Sequence, residues 1–305
     1  MQDMPEIRPD QSIELLKAMH ILTRDGRLNQ DSRRKLKQVY HLYQFIEPLL
    51  QQVKRQQSNI SLVDCGAGKS YLGFILYDLF FKSLARGSQV VSIESRNELV
   101  LKSRELASRL HFDAMSFLNL QLDQAVASPD LPAKVDIVTA LHACDTATDD
   151  AIRLGLSKKA GFIVLAPCCQ AEVAAVLRKN KASSDPGAPL ADIWRHPLHT
   201  REFGSHVTNV LRCLQLEAHG YQVTVTELVG WEHSMKNELI IASFKDLPRR
   251  RGADRLRALL AELGLTSLQE RFFTSPDAGT TDRDLRHDPG KHASRPRLQK
   301  PQADR

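Results

Sequence analysis

Between residues 60 and 170, short apolar runs alternate with stretches of helical periodicity, and this alternation leaves few architectures open. The runs are 60–63, 89–93, 116–120, 135–141 and 162–166; the helical stretches are 71–82, 98–109 and 148–156. Strands joined by crossover helices lie parallel in one sheet, with helices on its faces. A helical stretch at 172–179, a Pro/Ser/Gly loop at 182–190 and a longer helix at 206–219 follow. The last two runs, 221–229 and 238–244, are separated by too few residues for a crossover, so they pair as an antiparallel hairpin. The expected fold class is α/β: a Rossmann-like sheet, parallel with an antiparallel terminal hairpin, plus a helical N-terminal extension.

The flanks differ from this middle in charge. Residues 247–305 carry 13 Lys/Arg against 8 Asp/Glu, residues 1–57 carry 10 against 7, and residues 58–246 carry 19 against 21. A near-neutral body with basic ends fits an anionic partner gripped by the ends, or basic ends that only aid solubility. Residues 11–57 read as helical: Leu36, Val39, Tyr40, Tyr43, Ile46, Leu49, Leu50 and Val53 recur at helical spacing, with Asp31 or Ser32 as the cap. Arg33, Arg34, Lys35 and Lys37 crowd its first turns, where the helix dipole disfavours cations. They form either a phosphate contact or a solvated face. Four segments result: a helical N-terminal extension (1–57), a nucleotide-type domain (58–246), a basic amphipathic helix (247–273) and a basic tail (274–305) expected to be disordered.

No apolar run approaches the roughly 20 residues of a membrane span. The first residues lack a basic-then-apolar leader pattern, and the five cysteines are odd in number and spread apart. A cytoplasmic protein without a disulfide framework is expected.

The first strand runs into Asp64-Cys65-Gly66-Ala67-Gly68-Lys69-Ser70. Gly68-Lys69-Ser70 ends like a phosphate-binding loop, but the glycine that must open such a loop is Val63 here. Asp64 would also repel a triphosphate. The same residues suit a cationic, phosphate-free nucleotide. Gly66 and Gly68 allow a tight turn, and a helix starts near Ser70, which stands where such loops often have a third glycine. Glu94 closes the second run and can accept both hydroxyls of a ribose. S-adenosylmethionine offers an ammonium, a sulfonium, a carboxylate and a ribose; Lys69 would meet the carboxylate or face solvent. A nicotinamide dinucleotide would place its pyrophosphate against Asp64. The terminal hairpin also favours the methyltransferase architecture.

Three constellations lie downstream. His142, Cys144, Asp145 and Asp149 follow the fourth strand, where an open α/β sheet binds its ligands. Pro167, Cys168, Cys169 and Gln170 follow the fifth. Glu232, His233, Lys236 and Asn237 fill the hairpin connection. Asp149 could equally be a helix cap and the adjacent cysteines simply buried.

Together the segments "DCGAGKSYLGF", "LHACDTATDDAI", "LAPCCQ" and "EHSMKNELI", preceded by "RRKLKQVYHLYQFIEPLL", resemble a bacterial family of class I S-adenosylmethionine-dependent methyltransferases, over about residues 15–246. A more distant similarity runs to eukaryotic tRNA acceptor-stem ribose methyltransferases, which have a like His-x-Cys-x-x-Ala-Thr-Asp segment and Cys-Cys strand end. The resemblance implies that Asp64, Gly66 and Gly68 line the methionine end of the cofactor, that Glu94 holds the ribose and that residues around Gln121 flank the adenine. His142, also counted against the cofactor, and Asp145 would sit near the reactive centre. Ala67 and Leu120 depart from the family pattern.

Methyl transfer from a sulfonium needs alignment and, for many acceptors, a base. His142 or Asp145 is the base candidate. Cys144 and Cys168 are the alternative, as nucleophiles toward a cytosine ring. A zinc site from His142, Cys144, Cys168 and Cys169 lacks the usual Cys-x-x-Cys knuckles, and no metal is expected. The Asn-Pro-Pro-Tyr signature of exocyclic amine methylation is absent. The expectation is a methyltransferase acting on RNA, such as tRNA, through basic N- and C-terminal segments. A protein or small-molecule acceptor, or a non-catalytic cofactor-binding scaffold, stands as the alternative.

Overall fold

The computed structural model describes residues 6–84, 86–141, 143, 145–167, 170–181, 193, 195–228 and 238–273. Seven strands form one sheet: β1 (Ser61–Cys65), β2 (Gln89–Ile93), β3 (Met115–Leu118), β4 (Ile137–Leu141), β5 (Phe162–Ala166), β6 (Tyr221–Glu227) and β7 (Glu238–Phe244). Their order is β3-β2-β1-β4-β5-β7-β6. The first five are parallel; β7 runs antiparallel to both β5 and β6. This is the expected Rossmann-like sheet, parallel with an antiparallel terminal hairpin.

The helices are α1 (Ile13–Ala18), α2 (Gln30–Gln56), α3 (Tyr71–Leu79), α4 (Asn97–Arg109), α5 (Leu122–Ala125), α6 (Thr146–Ser157), α7 (Glu172–Lys181), α8 (Pro197–Glu217), α9 (Arg249–Glu262) and α10 (Gln269–Phe272). Central strands covered on both faces must be apolar on both. Leu62, Ile137 and Val164 accordingly point into one core with α2 and α3, and Val63, Val138 and Leu165 into a second with α6. A third cluster joins Val173 and Leu177 of α7, Val207, Leu211 and Leu214 of α8, and Leu256 and Leu260 of α9.

The N-terminal extension is therefore packed into the body: Leu36, Tyr43, Ile46 and Leu50 of α2 share the first core with the sheet. The basic helix at the other end seats its leucines on α7 and α8.

Several boundaries differ from the sequence reading. The α2 cap is neither Asp31 nor Ser32 but Asn29, whose side chain accepts the Ser32 N–H at 2.7 Å. Arg33 pairs with Glu6 and Lys35 with Asp31, so both of these cations have an acid beside them. Helix α8 starts at Pro197, nine residues before the expected 206, with the proline in its first turn where a missing N–H costs nothing. Strand β3 stops at Leu118, because Asn119 turns its amide onto the carbonyls of Glu94 and Ser95, at 3.0 and 2.8 Å. The expected loop at 182–190 and tail at 274–305 lie outside the described residues. Among the described residues no helix is long and apolar enough to cross a membrane.

Candidate functional site

Asp64 sits near the end of β1 with only 2% of its surface exposed. Thr139 of β4 donates its hydroxyl to one carboxylate oxygen at 2.8 Å, and the Gly73 N–H of α3 also donates to the group. Burial outweighs both bonds and pushes the carboxyl up to about 7 from the ordinary 3.8.

The chain then turns sharply. Gly66 has φ +62°, and a Cβ there would lie 3.3 Å from the Cβ of Ala143, just beyond β4. The turn therefore needs glycine both for its backbone and for its closeness to the neighbouring strand end. Gly68 has φ +59° and Ser70 has φ 55°, so Ser70 adopts the left-handed conformation that a third glycine would take freely. Its hydroxyl lies 2.7 Å from that of Ser92, a buried bond that helps hold it there.

Glu94, one residue past β2, is 7% exposed. One oxygen accepts the Gly68 N–H at 2.7 Å, which ties the glycine turn to the second strand end. The Arg96 guanidinium takes both oxygens, Nε at 2.9 Å and Nη2 at 3.2 Å. Burial pushes the Glu94 carboxyl up, but the bonds from Arg96 and from the Gly68 N–H together hold it below its usual range.

A cavity of about 290 Å³ opens beside this loop. Asp64, Gly66 and Lys69 line it from below, Arg96 from the side, and Val39 and Leu42 of α2 form an apolar wall. The cavity covers the methionine half of the expected site. Glu94 and Gln121 do not line it; Gln121 is exposed, one residue ahead of α5. The fold thus gathers Asp64, Gly66, Gly68, Lys69 and Glu94 around one turn, and Leu122, next to Gln121, comes within 4.0 Å of where a Cβ on Gly66 would stand. Sequence reasoning missed Arg96, although a cation two residues after a strand-end acid is a readable pairing signal.

Asp145 lies on the far side of β4. Its backbone is strained, with φ 51° and ψ −122°. One carboxylate oxygen accepts the Ala171 N–H at 3.1 Å, so the group joins the ends of β4 and β5. Its carbonyl accepts Arg212 Nη2 at 2.8 Å. Arg212 of α8 is wholly buried and forks onto Asp149 at 2.7 and 3.0 Å. Asp149 is therefore an ion-pair partner, and not the helix cap offered as its simpler reading. His142, Cys144, Cys168, Cys169 and the connection 229–237 lie outside the described residues. Burial pushes the Cys65 thiol well above its ordinary value and that of Cys213 up to about 12, so neither supplies a thiolate near neutrality. Among the described residues no three His, Cys, Asp or Glu gather as metal ligands.

Residues 34–176 match a family model described as "Methyltransferase domain". A curated protein from Xenopus laevis, a glutathione S-transferase C-terminal domain-containing protein, is 24% identical over 200 residues, covering 60% of this chain and 31% of that protein. The chain thus spans about a third of the length of the curated relative it matches. Among solved structures, a putative O-methyltransferase from Klebsiella pneumoniae superposes with a TM-score of 0.46 at 12% identity, covering 79% of this chain and 93% of that one. Magnesium protoporphyrin IX methyltransferase from Synechocystis PCC 6803 with bound SAH gives a TM-score of 0.42 at 15% identity, covering 77% and 95%.

Proposed function

We propose that this chain is an S-adenosylmethionine-dependent methyltransferase whose acceptor is RNA, with tRNA the first substrate to try. The observation that carries the cofactor is the pair of strand-end carboxylates, Asp64 and Glu94, on either side of a positive-φ glycine turn. A phosphate cradle keeps its N–H groups free for the ligand; this turn, although it carries Lys69, has an acid at its start and spends its Gly68 N–H on another.

The residues present fit the cofactor. A side chain at Gly66 would close the space against Ala143, and the cavity beside it is lined by an acid, Asp64, and a cation, Lys69. The cofactor supplies a methyl group activated by the sulfonium. Asp64 would hold the ammonium and Lys69 the carboxylate. Glu94, now bonded to Arg96, would accept the ribose hydroxyls, and Gln121 would flank the base. Val39, Leu42 and Leu141 keep water from the transfer path. His142 is the proposed base for the acceptor proton. Asp145, which already accepts a backbone N–H, shapes the acceptor wall more naturally than it takes a proton. Cys144 and Cys168 remain the alternative pair should the acceptor be a pyrimidine carbon.

Support for RNA comes from the charge distribution and from the resemblance of the motifs to tRNA-modifying enzymes. On the described surface, Arg34 and Lys37 are exposed on α2, the helix that also gives Val39 and Leu42 to the cavity. Calorimetric titration tests the cofactor: S-adenosylmethionine should bind and ATP should not, and tight ATP binding without the methyl donor would sink the reading. Transfer of labelled methyl into total RNA rather than total protein tests the acceptor.

A further inference from the structure

Three of the motifs singled out in the sequence are joined by one buried network, in which Arg212 holds the first directly and the other two through Asn209. Arg212 Nε and Nη2 hold Asp149, Nη2 also holds the Asp145 carbonyl, and Nη1 reaches the Asn209 side-chain oxygen at 3.3 Å. The same Asn209 oxygen accepts Gln170 Nε2 at 2.8 Å, while Asn209 Nδ2 donates to Glu238 at 2.7 Å. Ser205 of α8 completes the set by donating to Gln170 at 2.8 Å.

These bonds reach three different connections. Asp145 follows β4, Gln170 and Ala171 follow β5, and Glu238 opens β7. Leu165 pairs with Ile240, so the start of antiparallel β7 lies beside the end of β5. Asp145, Gln170 and Glu238 thus lie at one end of the sheet, next to the strand that bears Thr139 and Leu141.

We propose that Arg212 is a positioning residue that, directly and through Asn209, fixes Asp145, Gln170 and Glu238 together on the acceptor side of the site. This rests on the methyl-transfer reading. A buried ion pair adds little to stability, because desolvation offsets its attraction. A planar fork with five donors adds geometry, and a lysine cannot reproduce it. Asp149, Asp145 and Asn209 each take a separate direction of that fork. The strained backbone of Asp145 persists because its carbonyl and its carboxylate are both held, one by Arg212 and the other by Ala171. The cofactor half is held separately, by Glu94, Thr139 and the glycine turn, and shares none of these bonds.

Arg212→Lys keeps the charge and loses the fork. In the full chain, amide hydrogen exchange should quicken at least about tenfold in 145–148, 170–173 and 238–240 and stay unchanged in β1 and β2. The affinity for S-adenosylmethionine should hold within about twofold. The rate of methyl transfer at saturating whole-cell RNA should fall at least about tenfold, with the half-saturating RNA concentration unmoved. Exchange equal to that of the parent in the three segments would overturn the proposal. So would exchange that rises alike across the whole sheet together with lost cofactor affinity. If Arg212→Lys does not fold, Glu238→Ala cuts one branch only, and its faster exchange must be confined to 238–240. Failure of the parent to bind S-adenosylmethionine would strike the methyl-transfer reading, and the exchange pattern would then decide the tether alone.

Discussion

Asp64 carries a proton more firmly in the folded chain than in the unfolded one, and that has two opposite consequences. Between the ordinary carboxylate value of 3.8 and the folded value of about 7, the native state binds the extra proton. Stability therefore declines as pH rises through that window, by up to about 1.4 kcal/mol per pH unit, and is level above it. Denaturant midpoints for the parent should follow this slope, and those for Asp64→Asn should be flat there. Binding of a cation runs the other way, since it needs the ionised carboxylate. Affinity for S-adenosylmethionine should rise up to about tenfold per pH unit below pH 7 and fall again above about pH 8, where an α-amino group loses its own charge. A pH-independent affinity in calorimetry would remove Asp64 from the ammonium site. Arg96 gives a second test. Its side chain is 61% exposed, and a pair of that kind is worth at most about 1 kcal/mol. If it merely covers Glu94, Arg96→Ala should tighten cofactor binding about two- to fivefold; weaker binding would make Arg96 a ligand in its own right. The acid-glycine turn and Glu94 are legible in the sequence because each closes an apolar run, at the strand ends where such a sheet binds its ligands. Arg212 is not: its acid is 63 residues away, and in the string "TNVLRCLQL" it reads as the polar face of a helix. Only its spacing with Thr208 and Gln215, both also buried, hints at a polar stripe turned inward.

At the scale of elements, periodicity is readable wherever one apolar face meets one core, as in α2, α4 and α6. It fails at the start of α8, where "PLHTREFGS" shows little apolar pattern. That turn is helical for tertiary reasons. Gly204 lets α8 approach α7 so closely that a Cβ would lie 2.7 Å from the Ala174 Cβ and 2.8 Å from its backbone. The same device docks α9: a Cβ on Gly252 would lie 2.7 Å from the Ala218 nitrogen and 2.9 Å from the Glu217 carbonyl carbon. Backbone atoms cannot step aside, so α9 must lift. Gly252→Ala should cost about 1–3 kcal/mol despite the better helix propensity of alanine, read as a lowered urea midpoint. A midpoint that rises would mean that propensity wins and that α9 is only loosely seated. By charge alone α9 is a basic arm, yet Arg255 pairs with Glu217, Arg249 with Asp246 and Arg257 with Asp254, while Leu256 and Leu260 are buried. The leucine spacing announces an apolar stripe but cannot say that α7 and α8 supply the groove.

For the whole molecule this docking changes how the RNA proposal must be tested. Removing residues 247–305 would strip Leu256, Leu260, Leu265, Leu268 and Phe272 from the third cluster. Burial of such side chains is worth about 1.5–3 kcal/mol each, so the loss approaches the about 5–15 kcal/mol that holds a domain folded. A chain cut there would lose RNA binding by unfolding, whatever the tail does. Cutting after Phe273 removes seven Lys/Arg and five Asp/Glu and leaves the cluster covered. That 1–273 chain should keep its urea midpoint and its affinity for S-adenosylmethionine. If the tail grips phosphates, the slope of log affinity against log salt should become shallower by about 0.7–0.9 for each phosphate no longer neutralised. Arg34→Glu with Lys37→Glu should do the same on α2, whose exposed first turns lead toward the cavity wall at Val39 and Leu42. If the two segments grip separate phosphates, the two changes should add. Should the slope stay at its parental value in both variants and in their combination, the basic ends serve solubility alone. The acceptor would then have to be sought among proteins and small molecules.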